Sequence, residues 1–486
     1  MQNWQNNRTQ HVLIIILLSL LIFLGRQQDN GLLNYDDAYY AQKSIEMMDS
    51  ENPFLVTVHG QIIYDNPPVH FWITSTVYKL FGQGYYSSVL PSALFALGTV
   101  LLSYFLAWRM FGSASLALMA ALILILPGYF HDYARRGMLD HTLVFFFTLA
   151  LFTVWLGRKK PIYFPLFGLS AALAILTKSV LGALVIPVAI LFLLLSEDRR
   201  RLVHPWFWAG IFAVLGFVGI WFWENYQAGG SHFVRSHFGN LISARVIEGT
   251  NSSSFSAYFG YFKLLFQNYW PWLPFTLFGL FLAARSWRRE NKPAAILLLV
   301  WPLSILLVMS LTSSKILRYI LNIFPALAIL SAWGLHSFLS RRNKVELGLK
   351  VCLVLAVLTL LLVNVTPITF PGSTGLSEHS VEIRALAPYI ALNSDYGESI
   401  VNFRLERWDP QNLVYLYSQR LLEMPIRESA ELARRVEENP DLLILCKANH
   451  YSKLQKKYPG YFYQIKAAGE YRLLTAAARR DSIRYD

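Results

Sequence analysis

Hydrophobic residues form long runs through the first three quarters of the chain, and basic residues mark many of the gaps between runs. A helix needs about 17–25 mostly apolar residues to cross a bilayer. Eleven runs approach this length: 10–27, 88–108, 113–130, 141–157, 162–177, 179–196, 206–223, 270–286, 294–311, 319–338 and 346–366. The pattern predicts an α-helical polytopic membrane protein with about 11 transmembrane helices, within a range of about 11–13. No signal-peptide cleavage site follows the first run, which is expected to remain as the first span.

The loops between the runs fall into two alternating classes. One class is basic and carries Arg109, Arg158 to Lys160, Arg199 to Arg201, Arg285, Arg288, Arg289, Arg341, Arg342 and Lys344. Lys and Arg accumulate in cytoplasmic loops, so this class is predicted to face the cytoplasm. The other class is then predicted to face outward: 28–87, 131–140, the turn at Lys178, 224–269, 312–318 and the tail from about 367.

The C-terminal tail is a different kind of sequence, with mixed charges. It contains a helix-like stretch from Ser429 to Glu438 and a strand-like stretch from Leu442 to Leu445. A segment of about 120 residues can form a core of its own. We predict two domains: a transmembrane domain over 1–366, which includes the outward loop 28–87 with interfacial helices, and a soluble extracytoplasmic α/β domain over 367–486.

Composition agrees with a membrane protein. Hydrophobic residues make up 55% of the 486 residues and charged residues only 15%, whereas soluble domains are about 25% charged. The net charge of +13 belongs almost entirely to the hydrophobic part, because the tail from Phe370 onward has 16 Lys and Arg against 15 Asp and Glu. Basic residues between apolar runs indicate membrane orientation and lipid headgroups rather than nucleic acid. The two cysteines, Cys352 and Cys446, imply neither a disulfide framework nor a Cys-based metal site.

The candidate chemistry lies in the outward segments. Two adjacent acids, Asp36 and Asp37, follow the first span, and Tyr40 would share a helical face with Asp36 if a helix begins there. A third acid, Asp140, follows Arg136. Further groups in outward segments are Tyr64, Asp65, Asn66, Pro67, Pro68, Lys178, His232, His237, Lys315, Arg318 and Tyr319.

These residue types suit the transfer of a group from a phosphate leaving group. A carboxylate can deprotonate an incoming acceptor, and Lys and Arg can stabilise the charge that grows on a departing phosphate. Outside the cytoplasm an activated donor is expected to arrive attached to a lipid. The sequence has no P-loop, GxGxxG, HExxH or GxSxG pattern, which removes support for nucleotide-driven, dinucleotide and common hydrolase chemistry. No nucleotide or redox cofactor is expected.

Five motifs in order over about residues 30–330 resemble those of the GT-C fold glycosyltransferases that use polyprenyl-phosphate-linked sugars. The closest branch contains the lipid A aminoarabinose transferases and, more distantly, the protein O-mannosyltransferases. The motifs are Asp36-Asp37-Ala38-Tyr39-Tyr40-Ala41, Asn66-Pro67-Pro68-Val69-His70-Phe71-Trp72, Arg136-Gly137-Met138-Leu139-Asp140, Leu176-Thr177-Lys178-Ser179, and Lys315 to Tyr319 followed by Pro325-Ala326-Leu327-Ala328.

The resemblance implies roles for individual residues. Asp36 would be the catalytic base, with Asp37 beside it and Asp140 as a second essential acid. The donor phosphate and lipid would be bound by Lys178, Lys315, Arg318, Tyr319 and Arg136. The substrate cavity would include Tyr40, Tyr64, Asp65, Asn66, Pro67 and Pro68. Relatives place a divalent metal near the position of Asp65, which His232 or His237 could assist.

Two positions depart from the family pattern. Asn66 stands where the family has a basic residue, which removes one expected phosphate ligand, and Asp37 stands where it has Glu. Simpler interpretations also stay open. Asp36 and Asp37 could be a solvated helix N-terminus, Asp140 a helix cap paired with Arg136, and Lys178, Lys315 and Arg318 lipid-headgroup contacts.

The sequence thus predicts an inverting glycosyltransferase at the periplasmic face of the cell inner membrane. It would move one sugar from a polyprenyl (undecaprenyl) phosphate donor to a lipid or glycan acceptor of the envelope, such as lipid A, another glycolipid or a polysaccharide. Lipopolysaccharide modification and protein glycosylation are the expected processes. Alternatives are a protein O-mannosyltransferase-like enzyme, a transporter of polyprenyl-linked glycans, and a non-catalytic scaffold.

Overall fold

Apolar helices dominate the first three quarters of the chain. The computed structural model describes residues 7–25, 32, 36–239, 259–312, 315–365, 378–395, 398–405 and 410–485. The helices of the membrane region are α1 (Arg8–Leu24), α2 (Asp36–Met48), α3 (Val69–Phe81), α4 (Tyr85–Phe111), α5 (Ala114–Ile125), α6 (Gly128–Ala134), α7 (Asp140–Gly157), α8 (Phe164–Ile175), α9 (Ser179–Ala183), α10 (Val185–Leu195), α11 (Pro205–Val234), α12 (Gly260–Tyr269), α13 (Leu273–Glu290), α14 (Pro293–Ser310), α15 (Phe324–Ser340) and α16 (Val345–Val365).

Six described helices are long and apolar enough to cross a membrane, or seven if the pair α5 and α6, which is bent by 72°, counts as one span. Shorter apolar helices lie at Arg8–Leu24, Pro161–Ile175 and Ser179–Leu195. The coarse prediction of a polytopic helical protein is confirmed, whereas the number of eleven crossings stays a prediction.

Small residues allow the membrane helices to approach each other closely, as is common where lipid gives no hydrophobic driving force. A Cβ added to Gly168 of α8 would collide with the backbone carbonyl of Gly210 in α11. The same holds at the crossing of α13 and α15, where Gly279 meets the carbonyl of Leu330 and Gly334 meets that of Phe275.

The loop between α1 and α4, which is predicted to face outward, holds three elements. It contains α2, the short antiparallel hairpin β1 (Thr57–Val58) and β2 (Gln61–Ile62), and α3. Both helices pack onto the membrane core through buried residues such as Tyr40 and Phe71. Their interfacial position stays a prediction.

The tail forms an α/β unit. Its strands are β3 (Ser399–Asn402), β4 (Leu421–Leu422), β5 (Ile444–Lys447), β6 (Phe462–Ala468) and β7 (Tyr471–Ala476), in the order β4-β3-β5-β7-β6. The first three are parallel, and β7 pairs antiparallel with both β5 and β6. Helices α17 (Glu378–Leu392), α18 (Gln411–Ser418), α19 (Ser429–Glu438) and α20 (Ala448–Lys457) complete it. The predicted helix at 429–438 is confirmed, while the predicted boundary at 366/367 lies outside the described residues.

Two apolar cores cover the two faces of this sheet. On one face Ile383 and Leu386 of α17 pack with Leu413 of α18, and on the other Leu432 of α19 packs with Leu454 of α20. The first core also contains Ala38 of α2, which is fully buried. The tail therefore rests directly on the helix that begins at Asp36.

The crossing of α8 and α11 gives a stability prediction. Gly168→Ala should lower the unfolding temperature in detergent, because the new methyl group meets backbone that cannot yield, and overpacking of this kind costs about 1–3 kcal/mol. The matched control is Gly216→Ala in α11, where nothing lies within 4 Å of the added Cβ. It should be neutral or stabilising, and equal unfolding temperatures for the two variants would contradict the close crossing.

Candidate active site

The outward segments predicted from the loop pattern meet around one cavity of about 410 Å³. Its lining comes from separate stretches of the chain: Asp36, Tyr39 and Tyr40; Ile62 to Asn66; Lys178 to Leu181; His232, Ser236 and His237; and Arg318 with Tyr319. Ten of the residues selected from the sequence thus lie around the same space: Asp36, Tyr40, Tyr64, Asp65, Asn66, Lys178, His232, His237, Arg318 and Tyr319.

Asp36 is the first residue of α2, where a carboxylate is favoured by the helix dipole. Its Oδ2 accepts a hydrogen bond from Nη1 of Arg318, and the two side chains form an ion pair. Tyr40 lies one turn later on the same face. Burial, and then the charge of Asp36, raise the pKa of Tyr40 well above its usual value. Its hydroxyl therefore stays protonated and available as a donor beside Asp36.

Asp37 points away from the cavity. Its side chain is buried and interacts electrostatically with Arg136 and Tyr85. Arg136 donates to Asp132 at 2.7 Å, one turn earlier in the chain. Neither Asp37 nor Arg136 is among the residues that line the cavity. Asp37 directly follows Asp36 in α2, and consecutive helical residues point about 100° apart.

Asp140 begins α7 and is 1% exposed. The sequence suggested Arg136 as its partner, but the structure pairs it with Lys178, whose Nζ lies 2.9 Å from Asp140 Oδ1. Lys178 reaches it because the helical chain breaks between α8 and α9, where Lys178 itself has extended torsion angles (φ −153°, ψ 87°). Asp140 is thus joined to the cavity through a residue that lines it.

Two charged atoms at this end of the cavity lack a hydrogen-bond partner among the described residues. They are Oδ2 of Asp140 and Nε of Arg318, and both are buried. An unsatisfied polar atom in a low-dielectric site is costly unless water or a ligand completes its hydrogen bonds. A donor near Asp140 Oδ2 and an acceptor near Arg318 Nε would complete these hydrogen bonds.

Arg318 and Tyr319 lie in a 3₁₀ turn (Leu317–Ile323) that precedes α15. The guanidinium carbon of Arg318 is 5.7 Å from the centre of the Tyr319 ring, and Nζ of Lys178 is 5.2 Å from it. Two cations and an aromatic ring therefore converge on the acids at the start of α2 and α7.

Lys315 has a different position from that expected. Its Nζ donates to the carbonyl oxygens of Ser310, at 2.8 Å, and of Met309 and Thr312. These carbonyls lie at the end of α14, where a cation is favoured by the helix dipole. Lys315 is not among the cavity-lining residues.

The Pro67-Pro68 pair supports the cavity rather than lining it. Both prolines are buried, and Pro68 immediately precedes α3. The next residue, Val69, donates its backbone N–H to the carbonyl of Leu176 at 3.0 Å. The turn that carries Asp65 and Asn66 is thereby tied to the turn that carries Lys178.

The two histidines reach the cavity because α11 is kinked. Gly230 has a positive φ of 51°, a torsion angle that glycine adopts at little cost, and it redirects the chain beyond it. His237 then receives two partners, since Nδ1 lies 2.5 Å from the Tyr64 carbonyl oxygen and Nε2 lies 2.7 Å from Ser179 Oγ. His232 packs edge-on against the Tyr64 ring.

The divalent metal considered from the sequence does not fit these residues. Both ring nitrogens of His237 already have partners, and Asp65 binds the ammonium of Lys43 at 2.6 Å. Within the described ranges, no group of three His, Cys, Asp or Glu side chains could hold a metal ion. We therefore assign no step to a metal.

Lys43 is the residue that the sequence analysis missed. It lies on α2 and contacts the rings of Tyr39 and Tyr40 as well as Asp65. Its spacing of three and four residues from the two tyrosines, and of seven from Asp36, places it on the same helical face. That spacing was visible in the sequence, but its partner Asp65 was not.

The Asp140–Lys178 pair gives a second prediction. Lys178→Met should destabilise the protein by about 3–5 kcal/mol, because it leaves a buried carboxylate without its cation. The double variant Asp140→Asn with Lys178→Met should recover much of the loss in unfolding temperature, since no charge is then left buried. Lys292→Met is the control, because Lys292 forms an exposed pair with Glu290 (55% and 54% exposed) and should change little. Equal losses in the single and double variants would contradict the pairing.

Comparison with known proteins supports the resemblance noted in the motifs. A family model described as dolichyl-phosphate-mannose-protein mannosyltransferase matches residues 65–223. A protein of Aquifex aeolicus without an assigned function is 29% identical over 67% of this chain and 64% of its own length. The undecaprenyl phosphate-alpha-4-amino-4-deoxy-L-arabinose arabinosyl transferase 1 of Pseudomonas fluorescens is 25% identical over 68% of this chain and 58% of its own. The matched region thus spans less than two thirds of either relative.

The fold is similar to that of two solved membrane proteins. The structure of ArnT from Cupriavidus metallidurans bound to undecaprenyl phosphate aligns with a TM-score of 0.72 at 18% identity, covering 96% of this chain and 98% of that one. The Archaeoglobus fulgidus oligosaccharyltransferase in complex with Zn and sulfate aligns with a TM-score of 0.58 at 14% identity, over 97% of this chain and 73% of that one. The chain therefore has the GT-C fold of these two proteins, and its sequence is similar to that of an aminoarabinose transferase and, over residues 65–223, to the mannosyltransferase family model.

Proposed function

We propose that this protein is a membrane glycosyltransferase that transfers one sugar from a polyprenyl-phosphate donor to an acceptor of the cell envelope. The observation that carries the proposal is the convergence of Asp36, Lys178 and Arg318 on one cavity at the end of the helix bundle. A carboxylate for the acceptor and two cations for a phosphate are the groups that this displacement requires. Two of the proteins named above, the Pseudomonas arabinosyl transferase and the Cupriavidus ArnT, have undecaprenyl phosphate in their names or bound in their structures, which supports the same donor class.

The ion pairs suggest how the donor engages the site. The guanidinium of Arg318 is paired with the carboxylate of Asp36. A donor phosphate that binds Arg318 and Lys178 competes for these cations, since phosphate offers several acceptor oxygens to a guanidinium. Asp36 is then released to accept the proton of the acceptor hydroxyl or amine.

The transfer itself is a single displacement. The acceptor oxygen or nitrogen forms a bond to the anomeric carbon, the bond from that carbon to the phosphate oxygen breaks, and the acceptor proton passes to Asp36. The negative charge of the departing lipid phosphate is stabilised by Arg318, with the Tyr319 ring beside it. Asp140 keeps Lys178 in place. An inverting outcome follows from a single displacement.

We also infer eleven membrane crossings and an extracytoplasmic tail. Each of the eleven apolar runs contains at least one described helix, including the bent pair α5 and α6, the three shorter helices and α13. Along the chain, basic loops alternate with the loops that line the cavity. Because basic loops favour the cytoplasm, we place the cavity on the periplasmic side of the inner membrane. The tail contacts α2 and is placed on the same side.

Asp36→Asn should reduce transfer by about 10²–10⁴-fold, the usual contribution of a general base. The assay is mass spectrometry of envelope lipids, glycans and proteins from cells that lack the gene and carry either the wild type or the variant. This readout also separates lipid A, other glycans and protein as acceptors. Glu51→Gln, in the same outward loop and exposed, is the control and should restore the sugar fully.

Near wild-type transfer by Asp36→Asn would overturn the assignment of the base. The transporter alternative makes a different prediction. Movement of lipid-linked sugar across protein-containing vesicles that lack an acceptor would favour transport over transfer.

Sidedness is tested by cysteine labelling in a variant without Cys352 and Cys446. A membrane-impermeant maleimide should label Glu431→Cys of the tail in intact spheroplasts, because the tail faces outward. Arg288→Cys at the end of α13 should be labelled only after lysis. Both positions are exposed in the structure, and the reverse result would place the cavity in the cytoplasm.

A further inference from the structure

Lys43 is a charged side chain with no access to solvent. It is 0% exposed, and its Nζ lies 2.6 Å from Oδ1 of Asp65 and 3.5 Å from Oδ1 of Asn66. Burial lowers the pKa of its ammonium group, while the charge of Asp65 raises it. Removing an ammonium ion from water costs several kcal/mol unless it is well paired.

Aromatic rings hold this ammonium at a fixed place. Nζ is 4.0 Å from the centre of the Tyr39 ring, 5.3 Å from that of Phe71 and 5.5 Å from that of Tyr40. Rings at such distances attract a cation, the more so when it is desolvated. The charge cannot swing into solvent and acts from a constant position.

That position is directly behind the cavity wall. Tyr39, Tyr40, Asp65 and Asn66 all contact Lys43 and all line the cavity. Asp65 is 41% exposed at its side chain, so without Lys43 it would present an uncompensated negative charge there. Such a charge would repel a phosphate, whereas the Lys43–Asp65 pair is neutral overall.

Two other kinds of positive charge were considered for this place: the basic residue that the family pattern has at position 66, and a divalent metal near Asp65. Position 66 is Asn, which carries no charge. Asp65 is engaged by Lys43, and His237 is engaged by Tyr64 and Ser179, so these side chains do not form a metal-binding set.

We propose that Lys43 cancels the negative charge of Asp65 on this side of the donor-phosphate site, where neither a basic residue at position 66 nor, among the described residues, a metal-binding set of side chains is present to do so. This inference rests on the proposed function. Lys43 acts from behind the wall as a positioning residue, by neutralising Asp65 and fixing Tyr39, rather than by touching the substrate. It predicts phosphate binding that needs no metal.

The test measures binding of undecaprenyl phosphate to the purified full chain in nanodiscs, independently of transfer. Lys43→Met should weaken binding about tenfold or more, which corresponds to about 1.4 kcal/mol. Adding Asn66→Lys to this variant should restore affinity to within about threefold, because the charge returns one residue away from Asp65. Lys79→Met, an exposed lysine at the end of α3, is the control and should bind as the wild type does.

Two further binding measurements do not depend on whether Lys43→Met folds. Asn66→Lys alone should strengthen binding in the wild-type background, and EDTA should leave wild-type binding unchanged. The inference is overturned if folded Lys43→Met binds like the wild type, if Asn66→Lys neither restores nor strengthens binding, or if EDTA abolishes it. Absence of binding by the wild type would overturn the proposed function and this inference together, whereas the other results overturn this inference alone.

Discussion

Charges near the lipid boundary must be paired, and this constraint organises the whole cavity. Removing an ion from water costs several kcal/mol, and only a close partner of opposite charge offsets it. Three acids around the cavity each have such a partner: Asp36 has Arg318, Asp140 has Lys178 and Asp65 has Lys43. Each pair joins residues that are far apart in sequence. The pairs Asp36–Arg318 and Asp140–Lys178 therefore join separate connecting segments of the chain, and Lys43–Asp65 joins two parts of the loop 28–87.

The helix α2 is the element that links the parts. One face carries Asp36, Tyr40 and Lys43 toward the cavity and its wall. Ala38 of the same helix is buried in the core of the tail domain. The tail and the cavity therefore both contact α2.

The paired charges also suit the proposed donor, which carries its own negative charge. The guanidinium of Arg318 would exchange its contact with Asp36 for the donor phosphate, since phosphate offers several acceptor oxygens to a guanidinium. The ammonium of Lys178 has three donors, so it could reach the phosphate while it stays paired with the buried Asp140.

The pattern of apolar runs was enough to predict most helices of the membrane region, whereas the sides assigned to the loops stay a prediction. Apolar runs specify helices wherever they occur, and acids at positions 36 and 140 favour helix starts, so α2 and α7 begin there as local physics dictates. The ordered motifs also predicted most of the cavity lining. Only the tertiary structure decided the partners: Asp140 binds Lys178 rather than Arg136, Lys315 caps α14, and Lys43 reaches Asp65. Such pairs depend on how helices pack in space, and a linear pattern of charges contains no information about that distance.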